Sequence, residues 1–303
     1  MGGAEARAVV RDRGRRTLGR SQLERRHAQL AEVSPQVGSL DEGAFHDLLR
    51  KDPDAAVALL ADLAAATDPQ LRAQARRLAA RVFVRAGRLG AARTRGFRRL
   101  TPQRGATEGD LDLSFEVAGG KPRHADDLVS RRWAAPQQAL CLLVDHSGSM
   151  EGHAVGLAAM AAAAVVLARV ERASVSVIAF AKDALVLQNQ GETRPPAALV
   201  DDLLSLRGKG RTDLALALRT ASTQLNRRPG AERRVIVLSD CRPTAGTDPL
   251  AALTGLDRVD VLGSSDDPES VRSGRELAVR ARGCYRSATN YVRLRDGLLT
   301  LLS

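Results

Sequence analysis

The chain has 303 residues and a formal net charge of +11, with 44% hydrophobic and 27% charged residues. This composition excludes a wholly disordered or collagen-like chain, and a chain of this length buries enough surface to fold without disulfides or a structural metal. The basic excess leaves open a role in binding nucleic acid or an acidic partner.

Cysteine usage and hydropathy indicate the cellular compartment of the protein. The three cysteines, Cys141, Cys241 and Cys284, form no C-x-x-C motif and no Cys/His cluster. This usage is typical of a reducing compartment and argues against a zinc site. The first residues alternate arginine with small polar residues and lack the apolar core of a signal peptide. The longest uncharged stretch, 154–168, is too short to span a bilayer, so we expect a cytoplasmic protein without a membrane segment.

The N-terminal third is predicted to be helical. Residues 1–36 show no clean hydrophobic period and carry a basic excess, so we expect a partly disordered arm there. Asp41, Asp52 and Asp68 each precede an Ala/Leu-rich segment, and the last two are followed directly by proline. An aspartate followed by proline is typical of a helix N-cap and first turn. We therefore predict a small helical domain over residues 37–104.

Arginine is concentrated in two segments. Residues 72–104 contain eleven arginines and no acid, and residues 7–26 contain eight arginines and two acids. Such segments can hold phosphates, but aromatic residues that could stack on bases make up only 3% of the chain. The alternatives are a solvated helix face and a docking surface for an acidic protein. The arginines that we single out for such a surface are Arg76, Arg77, Arg81 and Arg85.

The pattern changes after residue 104. Residues 111–117 alternate like a strand and fall in a predicted linker over 105–136. From residue 137 apolar strands alternate with helices, and the first strand, Ala139–Val144, is apolar throughout, as expected when both faces are buried. This alternation predicts an α/β domain over 137–303, built on a doubly wound, mostly parallel sheet.

The predicted elements of this domain follow one another at short intervals. Strands are predicted at 139–144, 174–180, 184–187, 235–238, 259–262 and 284–287, with the third forming a hairpin with the second. Helices are predicted at 154–170, 199–206 and 212–225, after Asp248 and Asp267, and at the C-terminus.

Polar residues follow the ends of two predicted strands and open one helix. The first strand leads into Asp145-His146-Ser147-Gly148-Ser149, the strand at 235–238 leads into Ser239-Asp240, and Thr212 opens a helix. Because ligands of such sheets bind outside the carboxyl ends of the strands, where strand order reverses, we expect these loops to converge. All the donor atoms are oxygens, which suit Mg²⁺ or Mn²⁺ better than zinc or copper.

At these positions the sequence resembles the von Willebrand factor A family. It matches that family's metal-ion-dependent adhesion site, which consists of a D-x-S-x-S loop, a later threonine and an aspartate that follows a strand. The resemblance covers about residues 137–303. Carried over by position, hydroxyl ligands would come from Ser147, Ser149 and Thr212, and carboxylates binding largely through water from Asp145 and Asp240. Cys241 stands where the family often has glycine, and His146 fills its variable position.

The donor set favours recognition over catalysis. Neutral hydroxyl ligands leave the cation electrophilic, with an open position that an Asp or Glu of a partner protein can fill. A hydrolytic site would also need a base beside a metal-bound water, and His146 and His153 are the only candidates nearby in the sequence. Helix capping by Asp145 and the serines would explain one loop but not three. We therefore expect a non-enzymatic protein-binding module, with a Mg²⁺-dependent hydrolase as the less favoured alternative.

The order of the parts resembles the CoxE-like and magnesium-chelatase-D-like group. Members of that group commonly work with MoxR-type AAA+ ATPases in metal insertion or in remodelling protein complexes. The segment Gly208-Lys209-Gly210 lacks the spacing of an ATP-binding loop, so ATP hydrolysis would come from a partner. The resemblance implies an adaptor for such an ATPase, and the alternative is a nucleic-acid-associated adaptor that uses the arginine-rich helices.

Overall fold

A computed structural model describes residues 17–91, 99–104, 114–116, 121, 123–124, 127–134, 138–148, 152–169, 173–206 and 210–302. These residues divide into two compact units. The first contains the described residues up to 91 and from 138 onwards, and the second contains those between 99 and 134. We predicted separate domains over 37–104 and 137–303, whereas the contacts join the N-terminal helices and the α/β segment in one unit.

The first unit contains most of the helices and strands. Before the second unit its elements are α1 (Arg20–Arg26), α2 (Leu30–Val33), α3 (Glu42–Lys51), α4 (Pro53–Leu63) and α5 (Pro69–Ala91). The second unit has β1 (Arg99–Arg104) and β2 (Val129–Ala134). The first unit then continues with β3 (Gln138–Asp145), α6 (His153–Arg169), β4 (Ala173–Phe180), β5 (Ala184–Gln188), α7 (Pro196–Ser205), α8 (Leu214–Leu225), β6 (Glu232–Ser239), a 3₁₀ helix (Pro249–Leu253), β7 (Arg258–Gly263), α9 (Pro268–Arg280), β8 (Tyr285–Ser287) and α10 (Tyr291–Leu302).

Aspartate caps begin three of the N-terminal helices, as the sequence predicted. The side chain of each accepts a hydrogen bond from a backbone N–H of the first turn, at 3.0 Å for Asp41 and Asp52 and at 2.8 Å for Asp68. Such a cap stabilises a helix by about 1 kcal/mol.

The segment predicted as a partly disordered arm contains two helices. Residues 1–16 lie outside the described part, but α1 and α2 occupy 20–26 and 30–33. Leu23, Leu30 and Val33 are buried in the same core as the later helices. The prediction is therefore wrong for the described part of the arm. The reason is that three widely spaced apolar side chains anchor short helices without producing a clear sequence period.

A six-stranded sheet in the order β5-β4-β3-β6-β7-β8 forms the centre of the first unit. All neighbouring strands are parallel except β5, which pairs antiparallel with β4 as the predicted hairpin. From β3 the chain moves outward through β4 and β5, and then returns to the other side of β3 with β6. Strand order therefore reverses between β3 and β6. The predicted fold, an α/β protein with a doubly wound, mostly parallel sheet and a helical N-terminal region, is confirmed.

Helix α6 is apolar on every side. Each residue from 155 to 166 is buried, and a helix of this kind must be covered all round. The sheet covers one side, and helices α4, α5, α7 and α10 cover the rest. The even-numbered residues of β3, such as Leu140 and Leu142, share this core, whereas Cys141 and Leu143 pack on the opposite face against α8. The N-terminal helices are thus an outer layer on one face of the sheet.

A close contact between this outer layer and α6 is at Gly156. A Cβ atom on Gly156 would lie 2.5 Å from Val57 Cγ1 and 3.1 Å from the carbonyl oxygen of Val57 in α4. Glycine is therefore required for α4 and α6 to approach this closely.

The second unit pairs β1 with β2 in antiparallel register, from Arg99 opposite Ala134 to Arg104 opposite Val129. The strand predicted at 111–117 is wrong for residues 114–116, which are helical. Their contact with β2 comes through a side chain instead, because the Ser114 hydroxyl accepts a hydrogen bond from the Val129 N–H at 2.8 Å.

Among the described residues, no helix combines the length and the apolar character needed to cross a bilayer.

Replacing Gly156 with alanine should destabilise the first unit by about 1–3 kcal/mol, because the added methyl group pushes α4 away from α6. The effect is measured as the free energy of unfolding in urea. In a Val57→Ala background the same substitution should cost less, since the nearest clashing atom has been removed. Equal costs in the two backgrounds would contradict the close approach.

Candidate metal centre

Asp145 is the most deeply placed acid of the site. It ends β3 and is 1% exposed. One carboxylate oxygen, Oδ1, accepts a hydrogen bond from the Ser147 N–H at 2.8 Å, and Oδ2 accepts one from the Ser239 hydroxyl at 2.6 Å. Ser239 is the last residue of β6, so the carboxylate is fixed between the two strands where strand order reverses.

The charges around Asp145 favour a cation. Burial raises the pKa of the Asp145 carboxyl, and the nearby charge of Asp240 raises it further, although hydrogen bonds from Ser239 and Ser147 oppose both effects. Asp145 forms no ion pair with a basic side chain among the described residues. A divalent cation beside the two acids would favour the ionised form of Asp145. The residues present therefore fit a hard metal ion.

The loop that contains Ser147 lies against the segment that leads into Thr212. A Cβ atom on Gly148 would be 3.9 Å from the carbonyl oxygen of Gly210. Thr212 is buried, its N–H donates to Thr244 Oγ1 at 2.9 Å, and its carbonyl accepts from the Thr244 N–H at 3.0 Å. The second loop is thus fixed both to the first loop and to the segment that follows Asp240.

The third loop turns sharply after β6. Asp240 is half-buried and its Oδ1 accepts a hydrogen bond from the Arg242 N–H at 3.1 Å. Cys241 has a φ of 54°, in the left-handed region that favours glycine, the residue often found here in the family that the sequence resembles. Burial raises the pKa of the Cys241 thiol, and the charges of Asp240 and Asp145 add to this increase. Cys241 is therefore a protonated core residue beside both acids.

The structure brings the segments carrying four of the five predicted ligands to one edge of the sheet. These four residues are Asp145, Ser147, Thr212 and Asp240, and the fifth, Ser149, lies outside the described residues. Within the described part of the chain, no group of three or more His, Cys, Asp or Glu side chains is arranged to hold an ion. The site is accordingly a pair of carboxylates accompanied by hydroxyl groups.

Two supporting residues were missed by the sequence analysis. Ser239 was treated only as the end of a strand, yet its hydroxyl orients Asp145 and accepts the Cys241 N–H at 2.9 Å. Thr244 was not considered, yet it holds Thr212. A serine directly after the apolar run 235–238 was an available signal for Ser239. The second lies in a loop whose course the sequence pattern does not reveal.

The structure gives a backbone contact for one of the two histidines considered as bases and a side-chain contact for the other. The backbone N–H of His146 donates to the Phe180 carbonyl at 2.8 Å, which joins the end of β3 to β4. His153 Nε2 lies 2.7 Å from Asp54 Oδ1 of α4, so its ring is directed towards the N-terminal helices.

The N-terminal helices reach the end of the metal-site loop. Gly152 precedes α6 with a φ of 49°, and a Cβ atom there would lie 3.5 Å from Asp62 Oδ1 of α4. Asp62 is buried, and its Oδ2 lies 3.0 Å from His27 Nε2. Helix α4 therefore contacts the backbone between the site and α6.

The four arginines predicted to contact a partner differ in their surroundings. Arg77, Arg81 and Arg85 are exposed at intervals of four residues on α5, so they share one face, and Arg81 forms an ion pair with Glu42. Arg76 is half-buried: its Nε donates to the Ala64 carbonyl at 3.1 Å, and its Nη1 lies 3.1 Å from Asp201 Oδ1. Arg76 thus links three helices of the fold.

Residues 140–242 match the von Willebrand factor type A domain family. This part of the chain is a von Willebrand factor type A domain. The match contains the D-x-S-x-S loop, Thr212 and Asp240. No curated protein matches the chain significantly.

Several solved structures are similar to the chain. One is an aerotolerance-related membrane protein from Bacteroides fragilis with multiple mutations to serines (20% identity, 55% of this chain and 98% of that chain, TM-score 0.44). Another is a von Willebrand factor type A protein from Catenulispora acidiphila (20% identity, 57% and 44% covered, TM-score 0.47). A third is the manganese-loaded TRAP protein of Plasmodium vivax (17% identity, 55% and 74% covered, TM-score 0.44).

Replacing Ser239 with alanine should lower the affinity of the von Willebrand factor A domain for Mn²⁺ by roughly tenfold, because Asp145 loses the hydroxyl that orients it. Isothermal titration calorimetry with Mn²⁺ measures the change. Ser176→Ala is the matched control, since Ser176 is equally buried, on β4. An unchanged Mn²⁺ affinity in Ser239→Ala would show that Ser239 does not support the site.

Proposed function

We propose that the protein is a non-enzymatic adaptor whose von Willebrand factor A domain binds a partner protein through a divalent cation, Mg²⁺ or Mn²⁺. The residues that would hold the cation are Asp145, Ser147, Ser149, Thr212 and Asp240. The observation that carries the proposal is the buried Asp145 carboxylate. It is oriented by Ser147 and Ser239, lies beside a second acid, and has no basic partner among the described residues.

The donor set accounts for recognition of an acidic side chain. When bound, the cation supplies a Lewis-acidic centre to which an Asp or Glu of the partner can bind. The hydroxyl groups of Ser147 and Thr212 are neutral, so the chain itself offers only the charges of Asp145 and Asp240. If Asp145 and Asp240 bind largely through water, as the family resemblance implies, the ligands in direct contact with the cation would be neutral. A carboxylate from the partner would then supply the first negative charge in direct contact with the cation.

The side-chain contact of His153 supports a binding role over a hydrolytic one. A metal-dependent hydrolase needs a base beside the reacting water. His153 contacts Asp54 of α4 at 2.7 Å, which directs it away from the role of a base at the cation.

We further propose that the partner is a MoxR-type AAA+ ATPase or a client of one, and that the adaptor acts in the cytoplasm in metal insertion or in remodelling a protein complex. The resemblance to the CoxE-like and chelatase-D-like group supports this, because helices precede the von Willebrand factor A domain in the same order. The sequence between Gly208 and Gly210 lacks the spacing of an ATP-binding loop, so the ATPase would be a separate chain.

The exposed arginines of α5 would form a second contact surface. Arg77 and Arg85 lie on the exposed face of the helix, where they can meet acidic groups of the ATPase or of a client. Nucleic acid is the competing ligand of this face. Binding of phosphates weakens steeply with salt and does not respond to chelator, whereas binding through the cation should be lost when a chelator removes the metal.

The Thr212→Val variant tests the proposed metal site. We expect its affinity for Mn²⁺ to fall at least about tenfold, since one oxygen donor is removed while the shape of the side chain is retained. We also expect Mg²⁺-dependent co-purification with the MoxR-type ATPase of the same organism to be lost, as it should be for wild type in EDTA.

Thr220→Val is the matched control for that experiment. Thr220 lies on α8, the helix that follows Thr212, and its hydroxyl donates to the Leu216 carbonyl within the helix at 2.8 Å. Its loss should therefore spare both Mn²⁺ binding and co-purification. If the ATPase still co-purifies in the presence of EDTA and with the Thr212→Val variant, metal-mediated capture is overturned.

Variants of the α5 arginines separate structural from binding roles. Arg76→Gln should lower the free energy of unfolding by about 1 kcal/mol, because it loses its bond to Ala64 and its ion pair with Asp201. Arg77→Gln combined with Arg85→Gln should leave unfolding and Mn²⁺ affinity unchanged and weaken only binding to the second partner. Urea unfolding and Mn²⁺ titration measure both effects, and a loss of Mn²⁺ binding in the double variant would contradict the separation.

A further inference from the structure

The rim of the candidate metal centre carries three described basic side chains. Two of them have acidic partners: Arg242 Nη2 lies 3.1 Å from Glu269 Oε2, and Lys182 Nζ lies 4.0 Å from Asp183 Oδ2. Their charges are therefore offset locally. The third, Arg211, is exposed and forms no ion pair or side-chain hydrogen bond with another described residue.

Arg211 is placed next to the site by its backbone. It directly precedes Thr212, whose N–H and carbonyl are fixed by Thr244. The carbonyl group that joins Gly210 to Arg211 lies 3.9 Å from the position that a Cβ on Gly148 would occupy. The peptide group that precedes Arg211 therefore lies against the loop that carries Ser147.

The chemistry of arginine indicates what it can bind there. A guanidinium group presents a planar set of donors that matches both oxygens of one carboxylate. A carboxylate that coordinates a cation already uses one of its oxygens for the metal. The full set of Arg211 donors is thus best satisfied by a second carboxylate nearby.

We propose that the partner presents two neighbouring acidic residues, one that coordinates the cation and a second that pairs with Arg211. This inference rests on the proposed function, and it narrows the partner from any protein with an exposed Asp or Glu to one with an acidic pair. Arg211 would then be a specificity-determining residue that lies outside the metal ligands.

Two synthetic peptides test the proposal with the full-length protein. One is acetyl-Gly-Glu-Gly-Glu-Gly-amide and the other is acetyl-Gly-Glu-Gly-Gln-Gly-amide, and binding is titrated through the water-proton relaxation of Mn²⁺-loaded protein at low salt. For wild type we expect the peptide with two acids to bind about three- to tenfold more tightly, the range expected for a bidentate pair at an exposed site.

The Arg211→Gln variant should reduce that ratio to the statistical advantage of a peptide in which either of two glutamates can bind the cation. The affinity for the one-acid peptide and for Mn²⁺ should stay unchanged. Arg219→Gln is the matched control: Arg219 is also exposed, and it donates to Thr247 Oγ1 at 3.0 Å. We expect this control to keep the wild-type ratio.

The possible failures of this experiment are distinguishable. If Arg211→Gln keeps the wild-type ratio of peptide affinities, or loses affinity for both peptides equally, the role of Arg211 is overturned. Metal-dependent binding then still stands. If wild type binds neither peptide, the metal-mediated proposal fails and the inference fails with it.

Discussion

The need to bury helix α6 on all sides determines how this protein is assembled. In an ordinary sheet with helices on its faces, each helix needs only one apolar stripe. Here every residue from 155 to 166 is buried, so a second layer must cover α6, and α4 and α5 provide it. The contact is close enough to require glycine at position 156. The helical N-terminal region is therefore a structural layer of the von Willebrand factor A unit and not an attached module.

This packing also places the N-terminal helices beside the loop that leads from the metal site into α6. Asp62 of α4 contacts Gly152, and Asp54 accepts hydrogen bonds from His153, when that ring nitrogen is protonated, and from the Tyr291 N–H at 2.7 Å. The start of α6 and the start of α10 are thus both bonded to α4. At the opposite end of α10, Arg234 of β6 donates to the Leu301 carbonyl at 2.6 Å. Helix α10 is consequently fixed at one end by the N-terminal helices and at the other by the sheet.

Sequence patterns predicted the features that depend on local chemistry. Aspartate caps, apolar strands and the D-x-S-x-S loop are contiguous, so the helix starts, the parallel sheet and the edge where Asp145, Thr212 and Asp240 lie could be predicted. Features that depend on packing between distant segments could not. The burial of Leu23 and Leu30, the role of Ser239 and the internal contacts of Arg76 each require the fold. The uncharged stretch 154–168 of α6 did carry information about its cover, since a helix that is apolar all round cannot face water on any side.

The same packing changes how the basic surface relates to the metal site. Arg76 bonds to the end of α4 and to α7, whereas Arg77 and Arg85 point outward from the same helix. A partner that binds this exposed face contacts a helix that itself packs on α6. The arginine face and the described part of the candidate metal centre therefore belong to one compact unit, in which α5 packs on the helix that follows the candidate site.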